Sequence, residues 1–206
     1  MTGLFITFEG IDGVGKSTQA DALEAKLRGL GQDVVRTLEP GGTELGQEIR
    51  NLLLHRKGHV APRAEALLFS ADRAHHVATK IRPALAAGQV VISDRYFDSS
   101  IAYQGAGREL SMDDVRQINL WAVDNLIPNL TVLLDLDAQS ARARRDTTGQ
   151  APDRLEREKV EYFEATRQAF LSLAEAEPDR FFVVDAGQSA ATMAAQIWAR
   201  VEHLLG

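Results

Sequence analysis

Short apolar runs rich in β-branched and aromatic residues alternate along the chain with longer amphipathic stretches. The runs cover residues 4–8, 34–38, 90–93, 130–136 and 181–184. Several of them, such as VVIS, TVLLDL and FFVV, are almost continuously apolar, which is typical of strands that are buried on both faces of a parallel sheet. Because helical patterns separate these runs, we expect an α/β domain with a parallel sheet and helices on both of its faces.

The amphipathic stretches place apolar residues three and four positions apart, as helices do. The predicted helices cover residues 17–30, 45–54, 62–87, 111–126, 154–176 and 190–205. Gly31 and Gly88 follow two of them, and Ser111 begins another with a weak capping signal. The least regular stretch, 144–153, contains Gly149 and Pro152 and predicts a mobile surface loop.

Composition narrows the class of protein. The 206 residues show no repeat or linker, so we expect one domain over 1–206. The absence of cysteine excludes disulfide scaffolds, cysteine-ligated metal sites and a cysteine nucleophile. A net charge of -6 argues against nucleic-acid binding. The first ten residues have the pattern of a strand and not of a signal peptide, and no apolar run is long enough to span a membrane, so we expect a cytoplasmic protein with no membrane partner.

The strongest motif is GIDGVGKS at 10–17, which fits the phosphate-loop pattern G-x-x-x-x-G-K-[ST] between a predicted strand and a predicted helix. Glycines let backbone amides close around phosphates, and the helix N-terminus adds positive potential. Lys16 is expected to reach the β- and γ-phosphates and Ser17 to bind Mg²⁺. The residues predicted to bind the nucleotide phosphates are Gly10, Ile11, Asp12, Gly13, Val14, Gly15, Lys16, Ser17 and Thr18.

A phosphate loop indicates nucleotide use but not a reaction. The chain lacks the Asn-Lys-x-Asp motif of guanine-specific switch proteins. Asp94 and Arg95 end a buried strand, and ligands of parallel sheets bind beyond the carboxyl ends of the strands. We therefore expect these two side chains beside the phosphate loop, with Asp94 as a candidate metal ligand.

Four segments together resemble the thymidylate kinase family over essentially the whole chain. They are FEGIDGVGKST at 8–18, EPGGTELGQEIR at 39–50, LLFSADRAHH at 67–76 and DRYFDSSIAYQG at 94–105. The resemblance implies a P-loop kinase fold, with a five-stranded parallel sheet, a mobile lid at about 142–154 and a homodimer. It also implies Mg²⁺-dependent transfer of the γ-phosphoryl group of ATP to dTMP, which gives dTDP for dTTP biosynthesis.

The resemblance implies a role for each of several residues in binding the acceptor nucleotide. Phe69 would stack on thymine, and Arg73, on the same helix face, would donate to a base carbonyl. Arg50 and Arg95 would clamp the acceptor phosphate, which suits the forked guanidinium group. The remaining implied roles are reading of the base edge by Gln104 with Ser100, exclusion of a ribose 2′-hydroxyl by Tyr103, and shaping of the pocket around the methyl group by Pro40 after Glu39.

Catalysis in this family consists mostly of positioning and charge neutralisation, which need no strong general base. By resemblance, Asp12 would orient the acceptor phosphate together with Mg²⁺ or Arg95, and Lys16 would act on the transferred group. Some members carry an arginine in the phosphate loop where this chain has Gly13, so we expect the subtype that supplies arginine from the lid. The candidates are Arg142, Arg144, Arg145, Arg154 and Arg157, with Arg144 and Arg154 favoured. Glu156 is a further candidate for acceptor or metal contact.

Two alternatives remain open at this stage. Another P-loop nucleotide or nucleoside kinase would share the phosphate loop and the Asp94-Arg95 strand end, although the pair Arg50 and Arg95 favours an acceptor that already carries phosphate. A non-catalytic nucleotide binder would bind ATP without transfer. Turnover with free thymidine would favour the first alternative, and binding without any transfer would favour the second.

Overall fold

The computed structural model describes residues 3–56, 58–108, 110–147, 149 and 153–205. In these ranges the strands form one sheet, with all pairs parallel, in the order β2-β3-β1-β4-β5. The strands are β1 (Leu4–Glu9), β2 (Val34–Leu38), β3 (Val90–Asp94), β4 (Leu130–Asp135) and β5 (Phe181–Asp185). The expected parallel sheet is confirmed, with each strand end within a residue of its prediction.

Burial along the strands explains why the sequence pattern predicts them well. The three central strands β1, β3 and β4 are buried along almost their whole length, since helices cover both faces of the sheet. The outer strands β2 and β5 contain both buried and accessible positions. The expectation of burial on both faces is therefore wrong for FFVV, because β5 lies at the edge of the sheet and leaves Val183 45% exposed.

The helices pack on both faces of this sheet. They are α1 (Lys16–Gly29), α2 (Glu44–Leu54), α3 (Pro62–His76), α4 (Arg82–Ala86), α5 (Phe97–Ser100), α6 (Met112–Ala122), α7 (Ala138–Asp146), α8 (Val160–Ala176) and α9 (Ala190–Glu202). Two π-helical segments, Val77–Ile81 and Ile101–Ala106, continue α3 and α5. The Ser111 hydroxyl accepts a hydrogen bond from the Asp114 amide, as its capping pattern predicts.

The single helix expected over 62–87 is instead α3, a π-helical segment and α4. Pro83 explains the interruption, because proline has no amide hydrogen to donate to the preceding turn and its ring crowds that turn. The wider π-helical turn just before it lets the helix continue towards β3. The sequence pattern located the ends of the segment and missed its internal change of geometry.

Two further predictions about the region of the expected lid differ from the structure. The helix expected from Arg154 begins only at Val160, because the Asp153 carboxylate accepts hydrogen bonds from the amides of Leu155 and Glu156 and holds a separate turn there. The irregular stretch expected from Arg144 starts later, since residues 144–146 form the last turn of α7. Residues 148 and 150–152 of the expected loop lie outside the described residues.

The topology creates a crevice at one end of the sheet. The connection after β1 runs towards β2, whereas the connection after β3 runs the other way towards β4, and β1 and β3 are neighbours. Ligands of open parallel sheets bind at such a switch point, outside the carboxyl ends of the strands. The predicted phosphate loop follows β1 and Asp94-Arg95 ends β3, so both candidate motifs lie at this crevice. In the described ranges, no helix has both the length and the apolarity to cross a bilayer.

Candidate active site

The phosphate loop connects β1 to α1, and its shape depends on glycine. Gly10, Gly13 and Gly15 have φ angles of 128°, 90° and 95°, which side-chain-bearing residues rarely adopt. A Cβ atom on Gly13 would lie 2.1 Å from the Ala141 carbonyl oxygen of α7. Ile11 and Val14 point into the core. The two apolar residues fix the loop from below, and the glycines leave its outer surface as bare backbone.

Lys16, Asp12 and Arg95 form a charged group above this loop. The Lys16 ammonium donates to the carbonyl oxygens of Gly10 and Ile11 at 3.1 and 2.8 Å and lies 3.8 Å from the Asp12 carboxylate. Burial lowers the pKa of Lys16. Although burial opposes it, the positive charge of Arg95 and then of Lys16 lowers the pKa of Asp12 to about 2. Asp12 is therefore a carboxylate near neutral pH.

Arg95 joins the phosphate loop to the opposite wall of the crevice. It donates to Asp12 at 2.5 Å, to the Gly10 carbonyl and the Ser99 hydroxyl at 3.0 Å each, and to the Tyr103 hydroxyl at 3.0 Å. Its φ angle of 72° lies in the left-handed region, a conformation that costs about 1–3 kcal/mol for a residue with a side chain. The network holds this strained residue with its guanidinium group fixed in place.

Ser17 and Asp94 bring two oxygen ligands together at the mouth of the crevice. The Ser17 hydroxyl donates to an Asp94 carboxylate oxygen at 2.8 Å. Both residues line the same groove as Lys16, Thr18 and Glu156. Hydroxyl and carboxylate oxygens are ligands that suit Mg²⁺, which usually takes one or two protein ligands plus phosphate oxygens and water. The donor set therefore fits the expected Mg²⁺.

A second cleft adjoins this groove, between α2, α3, α5 and the segment after residue 153. Phe69 and Arg73 from α3 and Ser100, Tyr103 and Gln104 from the α5 region line it, as the resemblance implies. The other lining residues are Asp12, Glu39, Pro40, Arg50, Leu54, Arg95, Ser99, Asp153, Leu155 and Glu156. The structure thus brings together every residue predicted to bind the acceptor.

Arg73 is one of the most deeply buried side chains, with 1% of its surface exposed. It donates to Glu39 at 2.6 Å, to Ser100 at 3.0 Å, to the Tyr96 carbonyl oxygen at 3.1 Å and also to Asn119. Among the described residues, these bonds occupy four of the five guanidinium N–H groups. The fifth N–H has no hydrogen bond within the described residues, and Arg73 lines the cleft.

Glu39 is held from both sides, which fixes the start of the EPGG segment. Its second carboxylate oxygen pairs at 2.8 Å with His76 Nδ1, and His76 Nε2 lies 2.7 Å from the Thr37 hydroxyl. The peptide bond from Glu39 to Pro40 is cis. The next carbonyl, that of Pro40, accepts a hydrogen bond from Arg50 at 2.8 Å. Arg50 therefore lies at the edge of the EPGG segment, where it lines both the groove that contains Lys16 and the cleft that contains Phe69.

Phe69 belongs to a small apolar cluster that is separate from the main core. Its members are Ile49, Leu53, Leu54 and Phe69, with Leu68 and Leu155 packed against them. The Phe69 ring thus combines a packing role with a place in the wall of the cleft. Tyr103 is buried beneath Arg95, whose guanidinium carbon lies 4.9 Å from the centre of the tyrosine ring.

The lid arginines favoured by the sequence lie in different places. Arg144 lines the phosphate groove with Arg145, and it donates to the Ala186 carbonyl oxygen at 2.7 Å. Arg154 points away from that groove and donates to the Leu53 carbonyl at 2.7 Å and to Glu65 at 2.5 Å. Arg142 and Arg157 are exposed. Of the lid candidates, Arg144 and Arg145 therefore line the phosphate groove in this conformation, and contact of Arg154 with the transferred group stays a prediction.

Several residues of the site do not stand out in the sequence. Asn119 contacts Arg73 from α6, and Leu54 and Leu155 complete the apolar wall. Glu65, which is fully buried, pairs with Arg154 and accepts a hydrogen bond from Gln104 at 3.2 Å. The position of Glu65 could have been found from the sequence, because it lies four residues before Phe69 and eight before Arg73, which puts all three on one helix face.

Comparison with known proteins agrees with this geometry. A family model described as thymidylate kinase matches residues 8–197. The chain is 59% identical to a thymidylate kinase from Clavibacter sepedonicus over 205 residues, which are 100% of this chain and 97% of that protein. It is 60% identical to one from Leifsonia xyli (97% of this chain, 95% of that protein) and 48% identical to one from Halothermothrix orenii (100% and 99%). The chain belongs to the thymidylate kinase family.

Proposed function

We propose that this chain phosphorylates dTMP to dTDP with ATP as the donor. The observation that carries the proposal is the junction of two clefts, one behind the phosphate loop and one built around Phe69, Arg73 and Gln104. The residues that line both are Asp12, Glu39, Arg50, Arg95 and Glu156. Two phosphate groups that enter from opposite sides would meet at these charged side chains.

The chemistry needs little beyond this placement. An oxygen of the acceptor phosphate attacks the γ-phosphorus of ATP, the bond from that phosphorus to the β-phosphate oxygen breaks, and ADP leaves. Lys16 would contact the β- and γ-phosphates of ATP, while Arg95 and Arg50 would hold the acceptor phosphate in line for attack. Ser17 and Asp94 would hold Mg²⁺ at the nucleotide phosphates, and Glu156, which lines the same groove, would be a further candidate ligand. Bound Mg²⁺ supplies neutralisation of the phosphate charge.

Asp12 would organise the acceptor phosphate through Arg95. Its carboxylate pairs with Arg95 at 2.5 Å and stays ionised, since the neighbouring cations lower its pKa to about 2. The pair fixes the direction of the guanidinium fork before substrate arrives, which reduces the ordering needed on binding. On this view Asp12, Lys16, Arg95 and Arg144 act through charge and position, and none removes a proton.

The direct test is turnover by the purified chain with ATP, Mg²⁺ and a panel of deoxynucleoside monophosphates, together with free thymidine, followed through ADP release. We expect turnover selective for dTMP. Preference for thymidine, or for another monophosphate, would identify a related kinase with a different acceptor. ATP binding without transfer to any acceptor would refute the proposal.

We further propose that the chain works as a homodimer through the face shared by α3 and α6. Three large apolar side chains are exposed on this face: Leu67 at 55%, Ile118 at 36% and Trp121 at 85%. A second copy of the same face would cover them, as a two-fold interface requires. Analytical ultracentrifugation should give a dimer for the wild type and a monomer for Trp121→Ser, while Leu30→Ser, which removes a leucine that is 55% exposed at the end of α1, should leave the dimer intact.

The reaction would take place in the cytoplasm on a single domain. The cysteine-free composition is compatible with a reducing compartment, and ATP and dTMP are its substrates under this proposal. The segment at about 142–154 would act as the lid of this domain, because Arg144 and Arg145 near its start and Glu156 just after its end line the phosphate groove.

A further inference from the structure

We call the cleft lined by Phe69, Arg73 and Gln104 the acceptor cleft. A buried carboxylate on α3 connects the base-reading side of this cleft to the segment after the lid. Glu65 has 0% of its surface exposed and accepts hydrogen bonds from three side chains. Gln104 Nε2 donates at 3.2 Å, Arg108 donates through Nε at 3.2 Å and Nη2 at 3.4 Å, and Arg154 Nη2 donates at 2.5 Å. The two arginines keep this carboxylate paired in spite of its burial.

An ionised carboxylate can only accept hydrogen bonds, and this fixes the orientation of Gln104. The amide oxygen of Gln104 cannot face Glu65, because two acceptors would then oppose each other in a buried place. The NH₂ group must therefore face Glu65, and the carbonyl oxygen is left for the cleft that Gln104 lines. Gln104 is 2% exposed, so water cannot easily compensate for a reversed amide.

We propose that Glu65 is a positioning residue that sets the polarity of the base-reading edge, with Gln104 as acceptor beside Arg73 as donor. The fifth N–H of Arg73, which has no partner in the described part of the chain, and the carbonyl oxygen of Gln104 would act together as a donor and an acceptor in the cleft that both residues line. That pair complements a pyrimidine with a carbonyl at C4 and a hydrogen on N3, and it opposes one with an amino group at C4 and a bare N3. The inference rests on the proposed function and deepens it, because it explains how thymine is separated from cytosine.

The same hydrogen bonds also connect the base-reading side chains to the end of the lid. Arg154 also donates to the Leu53 carbonyl at 2.7 Å, and Arg108 reaches Glu158 at 2.6 Å. Asp153, Leu155 and Glu156, on either side of Arg154, line the acceptor cleft. One carboxylate therefore fixes the base reader and a wall of the cleft together, from elements far apart in sequence.

The critical variant is Glu65→Gln, which keeps the size of the side chain and removes its charge. The carbonyl oxygen of the substituted amide is expected to turn towards the two arginines, which places the NH₂ group of that amide against Gln104. Gln104 must then reverse its own amide and present NH₂ to the base. We expect the preference for dTMP over dCMP, measured both as the ratio of kcat/KM values and as the ratio of Kd values, to fall roughly ten- to hundredfold.

Matched variants separate polarity from stability. Glu158→Gln removes the other acidic partner of Arg108 without contacting Gln104, and it should leave the dTMP/dCMP ratio unchanged. Glu65→Asp keeps an acceptor-only group and should keep the ratio even where affinity falls. In a Gln104→Ala background, Glu65→Gln should change the ratio no further, since the effect acts through Gln104. Melting temperatures of all variants are recorded in parallel.

The outcomes are distinct. A lower melting temperature for Glu65→Gln at an unchanged dTMP/dCMP ratio would reduce Glu65 to a structural residue and overturn the inference, while wild-type activity on dTMP would leave the proposed function standing. A wild-type chain without activity on dTMP would overturn the proposed function first.

A measurement on the wild type covers the case in which Glu65→Gln does not fold. The side-chain amide hydrogens of Gln104, observed by NMR, should be protected from solvent exchange both with and without dTMP, since they face Glu65. Replacement of the nuclear Overhauser contacts between these hydrogens and Glu65 by contacts to the base hydrogens of bound dTMP would show that the NH₂ group turns to the base, and this would overturn the inference.

Discussion

The two clefts that meet at Arg95 are built in different ways. The phosphate groove is shaped by backbone, with three glycines in the left-handed region and a lysine that bonds to main-chain carbonyls. The acceptor cleft is shaped by side chains, among which Arg73 and Gln104 are almost fully buried and held by partners from several elements. A phosphate is the same in every nucleotide and can be bound by repeated amides, whereas a base has one pattern of donors and acceptors and needs fixed side chains.

The largest loss of activity is expected from a substitution in the phosphate groove. Lys16→Met keeps the volume of this buried side chain but removes its charge, and kcat should fall by at least about 10²-fold, as for the loss of one group that stabilises transition-state charge. The affinity for dTMP should change little, because the acceptor cleft does not include Lys16. Steady-state kinetics with dTMP measures both quantities. Lys26→Met, an exposed lysine on the same helix, is the control and should be close to wild type.

Arg95 lines both clefts, so its replacement tests whether they are independent. Arg95→Lys keeps the charge but cannot reproduce the fork that joins Asp12, Ser99 and Tyr103. We expect a loss of about 1.5–3 kcal/mol in transition-state stabilisation, calculated from the kcat/KM values for dTMP, which is the range for hydrogen bonds to charged groups. Arg82→Lys, at a more exposed ion pair with Asp124, should have no measurable effect. A defect in ATP affinity alone would place Arg95 on the donor side only.

The two favoured lid arginines allow a smaller and sharper comparison. Arg144 lines the phosphate groove and Arg154 contacts Glu65, so Arg144→Ala should lower kcat and Arg154→Ala should mainly raise KM for dTMP. We expect changes of about tenfold or less, since both side chains retain exposure to solvent. A lower kcat at unchanged KM for Arg154→Ala would show that Arg154 leaves Glu65 to reach the transferred phosphoryl group.

The smallest effect concerns stability and pH. Burial, together with the charge of Asp98, raises the pKa of Glu9 from 4.5 to about 7. Between these values the folded chain binds a proton that the unfolded chain has released, so the contribution of Glu9 to the free energy of unfolding decreases as pH rises through this window. Glu9→Gln should therefore flatten the pH dependence of the melting temperature between about pH 5 and pH 7. Glu48→Gln, on the exposed face of α2, should leave the wild-type profile unchanged.

The difference between the clefts also decides what could be predicted from the sequence. The phosphate loop is a contiguous segment whose function depends on local backbone, so its glycines and Lys16 were identified from spacing alone. The central strands were found because burial on both faces leaves a continuous apolar run. Apart from Asp12 and Arg95, which the phosphate loop and the strand end placed at the site, the residues predicted to line the acceptor cleft were assigned only through the resemblance to a family, since Phe69 and Gln104 are ordinary residues in their own segments.

What the sequence did not reveal depends on contacts between distant elements. Nothing local marks Asn119 or Leu155, which reach the cleft from α6 and from the turn before α8. Helix α7 was not predicted as an element because only Ala138 and Ala141 are buried along it, so it carries almost no apolar pattern. The π-helical segment before Pro83 is a response to one residue that a periodicity pattern does not register.

The separate apolar cluster around Phe69 has a consequence for motion. Ile49, Leu53, Leu54 and Phe69 pack with one another and not with the sheet, so α2 and the first half of α3 share little of the main core. Such a unit opens at a lower free energy than the whole domain and acts as a cooperative unit of its own. Amide hydrogens of α2 should therefore exchange with solvent faster than those of β1 and β3, and bound dTMP, which would rest on Phe69, should slow them without affecting the strands.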